Sequence, residues 1–405
     1  MEKRQLSDLA IFGGSPLFDS PRHVGRPNIG DRQRFMDRVA DMFDRRWLTN
    51  NGPNVVEFED RIAAITGAPH CIAVCNATIG LELLFKALAL SGEVVVPSFS
   101  FVATAHALQW LGLTPVFCDV DIDTHTLDPT SVERSITANT SAILGVHTWG
   151  RSCKVTALQE IADRRGIRLI FDAAHAFGSS HEGQMIGSFG DAEVFSFHAT
   201  KFLNSFEGGA ITTRDGALAD RLRSMRNFGF AGLDLVTSSG TNAKMTEISA
   251  AMGLTSLESM NEFVATNRKN YELYKVLLSD IPGLHLYELP HGEYLNFQYI
   301  VVRVDESTCG INRDDLVEIL LSENIFARRY FYPGIHEMMP YRSDNQIARA
   351  KLPITELLTS QLFQLPTGTA MSEEDIRRVV GLLAFIVGNG SAASKLHAQT
   401  AKLAS

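Results

Sequence analysis

Residues 141–172 read SAILGVHTWGRSCKVTALQEIADRRGIRLIFD, and their pattern decides the fold. Two short apolar runs, SAILGVH and RLIFD, enclose VTALQEIADRRG, whose apolar positions recur at helical spacing. Continuous apolar strands joined by an amphipathic helix form a βαβ unit, and such units build a mostly parallel sheet covered on both faces. The alternation continues outward. Upstream, VVEFEDRIAAITG places Val55, Phe58, Ile62 and Ile65 at helical spacing and stops at Gly67. LELLFKALAL and FVATAHALQWLG read as helices, EVVVPS and TPVFCDVD as strands, and AEVFSF downstream as a further strand.

Between about 244 and 280 one long or kinked helical stretch leads into a second unit. There EYLNFQYIVVRVD reads as a strand, NRDDLVEILLSEN as a helix and IFARRYFY as a strand. MSEEDIRRVVGLLAFIV is a helix capped by Ser372 with acids in its first turn. The expected architecture is therefore α/β, with a helix-sandwiched, mostly parallel mixed sheet and a smaller C-terminal α/β domain. Residues 1–50 read as an irregular N-terminal segment contributing to the active site, 51–265 as the large domain and 266–388 as the small one. Residues 389–405 are expected to form a flexible tail.

In open parallel sheets ligands sit beyond the carboxyl ends of the strands. Three polar residues fall there: His147 closing SAILGVH, Asp172 closing RLIFD, and Lys201 just past AEVFSF. Lys201 lies in FSFHATKFLNSFEGG (195–209), between aromatic residues and a glycine pair. An amine there can be solvated, clamp a phosphate, or act as a covalent catalyst after losing its proton to desolvation. CNATIGLELLFKAL (75–88) puts small and hydroxyl residues at a helix start, which suits an anion and equally an ordinary Asn/Thr cap. Asp172 could cap a helix or hold charge on a ring nitrogen. His175 could reach the same ligand or sit in the core. Together, a phosphate seat with Thr78 and Ser196, a carboxylate and a lysine make the parts list of a pyridoxal phosphate (PLP) site. Phe101, in PSFSFVAT, offers an aromatic face for the ring or a helix core residue.

The order of these motifs resembles the fold-type-I, PLP-dependent sugar-nucleotide aminotransferases of the DegT/DnrJ/EryC1/StrS family from about residue 25 to residue 385. WLTNNGP, CNATIGLELL, VPSFSFVATAHAL, GVHTWGR, FDAAHAFGS, GDAEVFSFHATKFLNSFEGGAITT and GTNAKMTEISAAMGL carry the resemblance. It implies that Lys201 is the Schiff-base lysine, Asp172 the carboxylate paired with the pyridinium nitrogen, and His175 the group near the phenolic oxygen. Phe101 would stack on the ring, and Ala77, Thr78 and Ser196 would contact the phosphate. Asn242, in GTNAKM, would reach the phosphate of a second subunit, implying a homodimer with shared sites. Related 3-dehydratases replace the lysine with histidine. Lys201 is present here, which favours transamination. NAT stands where many relatives carry SGT.

NNGPNVVEFEDR, ILGVHTWGR, FHATK, RNFGF and LPTGTA are similar to the family's 4-aminotransferases. This implies transfer from L-glutamate, through pyridoxamine phosphate, to C4 of a TDP-linked keto-sugar, TDP-4-keto-6-deoxy-D-glucose. A 3-aminotransferase and a non-catalytic regulator of the same fold are the alternatives. A PLP-dependent lyase or desulfurase is disfavoured, because no cysteine lies in a glycine-rich reactive loop. WLTNN (47–51), Trp149 and ARRYFYPGIH (327–336) are candidates for sugar and nucleotide binding, with Arg328 or Arg329 meeting a diphosphate or donor carboxylate.

The remaining composition excludes other classes. A net charge of −9 argues against nucleic acid as a partner. The longest apolar run, VVGLLAFIVG, is about half the length a bilayer requires, so no membrane partner is expected. No signal peptide is visible, and a cytoplasmic enzyme is expected. The five irregularly spaced cysteines define neither a metal site nor a disulfide framework.

Overall fold

The computed structural model describes residues 3–344 and 351–404. Seven strands form the central sheet: β1 (His70–Val74), β2 (Glu93–Pro97), β3 (Thr114–Cys118), β4 (Thr140–Val146), β5 (Arg168–Asp172), β6 (Ala192–Ser196) and β7 (Gly209–Thr213). Their order is β1-β7-β6-β5-β4-β2-β3. β7 runs antiparallel to both its neighbours, and every other pairing is parallel. The strands are apolar along their length because helices cover both faces. Helices Ala77–Ala87 and Ala103–Trp110 pack on one face through Leu84, Leu108 and Ile211, and Val155–Arg165 packs on the other through Leu158, Ile161 and Phe171. The parallel strands consequently deliver Val146, Asp172 and Ser196 to one edge.

The helical stretch after 244 breaks at Ser259 into Glu247–Glu258 and Met260–Leu278. The second of these helices carries the chain from one core into another, burying Tyr271, Tyr274 and Leu278 with Leu316, Leu320 and Ile376. This core is closed by an antiparallel sheet of β8 (Leu284–Leu286), β9 (Ile300–Val304) and β10 (Leu362–Leu365). Leu9 and Phe18 also sit in it, so the N-terminal segment packs on the C-terminal unit. Buried Glu323 fixes that segment by accepting from Ala10 N (2.7 Å) and Leu17 N (2.6 Å) and pairing with Lys3 (2.8 Å).

Several expectations need correction. Residues 1–50 are not irregular throughout, since Arg32–Arg45 is a helix capped by Asp31, which accepts from Gln33 N and Arg34 N. The strand expected over EYLNFQYIVVRVD is only Ile300–Val304, because Phe297 is left-handed (φ 53°) and breaks the extended run. IFARRYFY contributes two strand residues, Ile325–Phe326, before turning inward. The tail expected to be flexible is helical over Gly390–Ala404. Ala393 is buried, Ser394 Oγ donates to Asp315 (2.8 Å), and His397 lies between Asp315 (3.3 Å) and Glu318 (3.0 Å). No single helix among the described residues is long and apolar enough to cross a membrane.

Candidate active site

The strand ends open into a cleft of about 560 Å³ between the large sheet and the second unit. After Ser196 the chain turns, and Lys201 N–H donates to His198 O (2.9 Å), which brings the Lys201 side chain back over the sheet edge. Asp172 enters from the adjacent strand β5. It accepts from Thr104 Oγ1 (2.9 Å) and Ala174 N (3.1 Å), which fixes its carboxylate plane.

At the start of helix Ala77–Ala87, Asn76 Oδ1 accepts from Ile79 N (2.9 Å). The amides of Ala77 and Thr78 are left at the positive end of the helix, where an anion is stabilised. Gly209 on β7 explains part of the glycine pair. A Cβ there would lie 2.8 Å from Ala77 N and 2.9 Å from Asn76 C, so only glycine lets β7 pass beneath this seat.

Burial and charge set the protonation of these groups. Lys201 is half-buried, and desolvation pulls its amine down to about 8 while the Asp172 carboxylate acts in the opposite direction. At pH 7 about one Lys201 in ten is then a free amine, against about one in 3,000 at the ordinary value. Burial pushes Asp172 above the ordinary carboxylate range, opposed by its two hydrogen bonds and by Lys201 and His147. His175 is pushed well below its ordinary value by burial and by the Lys201 charge, so its imidazole is neutral.

The free amine is the nucleophile toward an aldehyde. Capture of PLP by the cofactor-free protein is therefore expected to rise with pH and level off above about 8. Stopped-flow absorbance against pH tests this, and a midpoint near that of a solvent-exposed lysine would contradict the assigned burial.

The cleft brings together Ala77, Thr78, Phe101, Asp172, His175, Ser196 and Lys201. Phe101 is half exposed, with its ring at the opening. Asn242 lies outside the cleft of its own chain and is exposed. Arg328 lines the cleft with its guanidinium 4.9 Å from the Tyr330 ring, whereas Arg329 is paired with Asp314 (2.8 Å) outside it. WLTNN does not line the cleft. Arg226 holds Asn51 Oδ1 (3.0 Å) and Glu247 N holds Leu48 O (3.1 Å), leaving Trp47 and Leu48 half exposed. Trp149 is buried behind His175 and does not reach the cleft.

Sequence reasoning missed Thr104 and Tyr299, and reached Phe331 only as part of the segment 327–336. Thr104 follows Phe101 by three residues, one helical turn, and that spacing could have placed both on the cleft side. Tyr299 arrives from the second unit, where no local pattern marks it, and Tyr330 and Phe331 of the candidate segment ARRYFYPGIH line the cleft beside it. Among the described residues no cluster of His, Cys, Asp or Glu is placed to hold a metal, and the five cysteines are unpaired.

A parallel α/β sheet with a lysine, a carboxylate and an anion-binding helix start at its carboxyl edge defines a fold-type-I, PLP-dependent aminotransferase. The chain belongs to the DegT/DnrJ/EryC1/StrS aminotransferase family, whose profile matches residues 30–384. It is 36% identical over 363 residues to the dTDP-4-amino-4,6-dideoxy-D-glucose transaminase of Escherichia coli, covering 89% of this chain and 97% of that one. The enzyme of the same name from Shigella dysenteriae is 34% identical over 366 residues, covering 90% and 99%. The crystal structure of DesI in the presence of its TDP-sugar product is 50% identical, with a TM-score of 0.93, covering 97% of this chain and all of that one.

Proposed function

We propose that this chain transfers the amino group of L-glutamate to C4 of TDP-4-keto-6-deoxy-D-glucose, giving TDP-4-amino-4,6-dideoxy-D-glucose and 2-oxoglutarate. The observation that carries the reading is the joint delivery of Lys201 and Asp172 to one cleft from neighbouring strands. The substrate assignment is supported by likeness to the named dTDP-sugar transaminases and to DesI.

The residues present fit PLP. The first-turn amides of Ala77 and Thr78 and the Ser196 hydroxyl would take the phosphate, in a seat that a Cβ on Gly209 would fill. Asp172 would pair with the ring nitrogen, Phe101 would cover one ring face, and His175 would lie beside the phenolic oxygen. When bound, PLP supplies an electron sink for negative charge developing at the reacting carbon.

Lys201 does the proton work. Its unprotonated Nζ takes the proton from Cα of glutamate and later delivers one to C4 of the sugar. Asp172, held by Thr104 and Ala174, stabilises positive charge at the site through both half-reactions. Arg328, a cleft cation with no ion pair among the described residues, is available for a substrate carboxylate or diphosphate.

A homodimer completes the site in this reading. Trp47, Leu48, Phe206, Phe228, Phe230 and Ile248 expose apolar surface that a second copy would cover, and Asn242 would reach the partner's phosphate seat. In this reading the reaction is a cytoplasmic one.

The deciding experiment is NMR analysis of the product formed from TDP-4-keto-6-deoxy-D-glucose, PLP and L-glutamate. Nitrogen is expected at C4. Nitrogen at C3, or an unaminated sugar, would overturn the assignment.

A further inference from the structure

Two bulky residues behind the cleft hold left-handed backbone that L side chains rarely adopt: His125 at φ 57° and Trp149 at φ 61°. Such conformations are costly and persist where the surroundings impose them, commonly beside functional groups. The two side chains are joined. Trp149 Nε1–H donates to His125 Nδ1 at 3.2 Å, and both residues are buried. His125 is itself held from behind, its ring 4.5 Å from that of Tyr287 at an interplanar angle of 29°. The Tyr287 hydroxyl donates to Thr124 O (2.9 Å) and accepts from Arg151 (3.1 Å).

On its other side Trp149 faces His175. The indole lies nearly parallel to His175, with centroids 5.7 Å apart at 19°, and to Phe331, 4.8 Å apart at 10°. The backbone N–H of Trp149 donates to His175 Nδ1 (3.4 Å). Asn296 Nδ2 donates to the His175 carbonyl (2.8 Å), and Gly150 leaves room for this, since a Cβ there would lie 3.1 Å from Asn296 Oδ1. His175 is thus gripped at its ring face, its Nδ1 and its carbonyl. The other groups around it are Tyr299 (4.4 Å between centroids), Phe331, Lys201 and Asp172.

An imidazole that accepts at Nδ1 carries a lone pair there, so a neutral ring must carry its proton on Nε2. We infer that His125 and Trp149 are positioning residues: His125 fixes the indole, and Trp149 holds His175 as the Nε2–H tautomer with its ring plane set at the cleft. Neither lines the cleft, so both act through the lining residues that Trp149 touches, of which His175 is the titratable one it hydrogen-bonds. The consequence for catalysis rests on the reading of His175 as the group beside the phenolic oxygen. The tautomer does not.

The test begins with cofactor-free protein labelled with 15N-histidine. Long-range 1H–15N correlations report the tautomer, and His175→Gln assigns the signal. Wild type is expected to show Nε2–H at His175, and finding Nδ1–H overturns the inference. His125→Phe keeps a ring against Tyr287 but removes the acceptor. His125→Asn restores an acceptor in a residue that tolerates left-handed backbone.

In the PLP-loaded enzyme His125→Phe should move the pH midpoint of the visible absorbance by about half a unit, a threefold change in the equilibrium, and His125→Asn should recover most of it. A lowered Tm with unchanged tautomer and midpoint would show that His125 only supports the fold. Should His125→Phe not fold, Trp149→Phe removes the same Nε1–H bond from the other end and is expected to shift the midpoint in the same way. No shift there overturns the inference.

Discussion

The Lys201→Ala protein is expected to turn over at least ~10⁴-fold more slowly than wild type at saturating PLP, L-glutamate and nucleotide sugar. The magnitude follows from two functions lost together. In the proposed mechanism the amine would anchor the cofactor aldehyde and would also be the base that moves protons at Cα of glutamate and C4 of the sugar. No other side chain in the cleft can replace it. His175 is neutral, but its Nδ1 is engaged by Trp149 N–H, and its other nitrogen carries the proton. His198 holds Thr200 through Nδ1, accepting from Thr200 N (3.2 Å), and faces Glu207 across 3.5 Å.

The phosphate seat and Asp172 do not depend on Lys201, so the variant should still bind PLP. Two measurements separate loss of chemistry from loss of fold. Borohydride reduction should fix the cofactor to wild type and not to the variant, read by intact-protein mass spectrometry. Added methylamine should restore part of the activity, because the truncated side chain leaves room for a small base. Turnover by Lys201→Ala within tenfold of wild type would remove Lys201 from the mechanism.

How far the sequence alone reaches is clear from particular residues. The parallel strands are legible because burial on both faces forces continuous apolar runs, and their polar last residues stand out as Asp172 does. Lys201 is legible for a similar reason, as a charge among aromatic and small residues. The glycine pair after it is only half legible. It marks a close approach, but that the neighbour is Ala77 N comes from the pairing of β7 with β1 across more than a hundred residues. Helix Arg32–Arg45 escapes notice although Phe35, Val39 and Met42 recur at helical spacing, because its charged residues dominate the stretch and only Met42 is buried in one chain. Trp149 shows the limit in the other direction. A tryptophan beside a strand end reads as a ligand contact, yet its neighbours His125 and Phe331 come from distant segments and bury it.

Asp172→Asn is expected to lower turnover about 10²–10⁴-fold. The substitution keeps shape and volume, and the amide oxygen can still accept from Thr104 or Ala174. What it removes is a buried negative charge that, in the proposed mechanism, would lie opposite the cationic ring nitrogen of the cofactor. Deleting one member of a buried, hydrogen-bonded charge pair costs about 3–5 kcal/mol, and each 1.36 kcal/mol on a barrier is a factor of ten in rate.

Thr104→Val supplies the graded comparison, since it leaves the charge and removes one hydrogen bond from it. That bond is worth roughly 1.5–3 kcal/mol to a charged acceptor. The expected loss is about tenfold to a hundredfold, smaller than that of Asp172→Asn. Both variants should show their deficit in kcat, because the charge acts on the reacting system more than on the resting complex. If burial alone made Asp172 important, the neutral asparagine would be tolerated better than the aspartate it replaces, because burial pushes this carboxyl toward its neutral form. An Asp172→Asn enzyme as fast as wild type would therefore assign Asp172 to packing and leave the ring nitrogen without its partner.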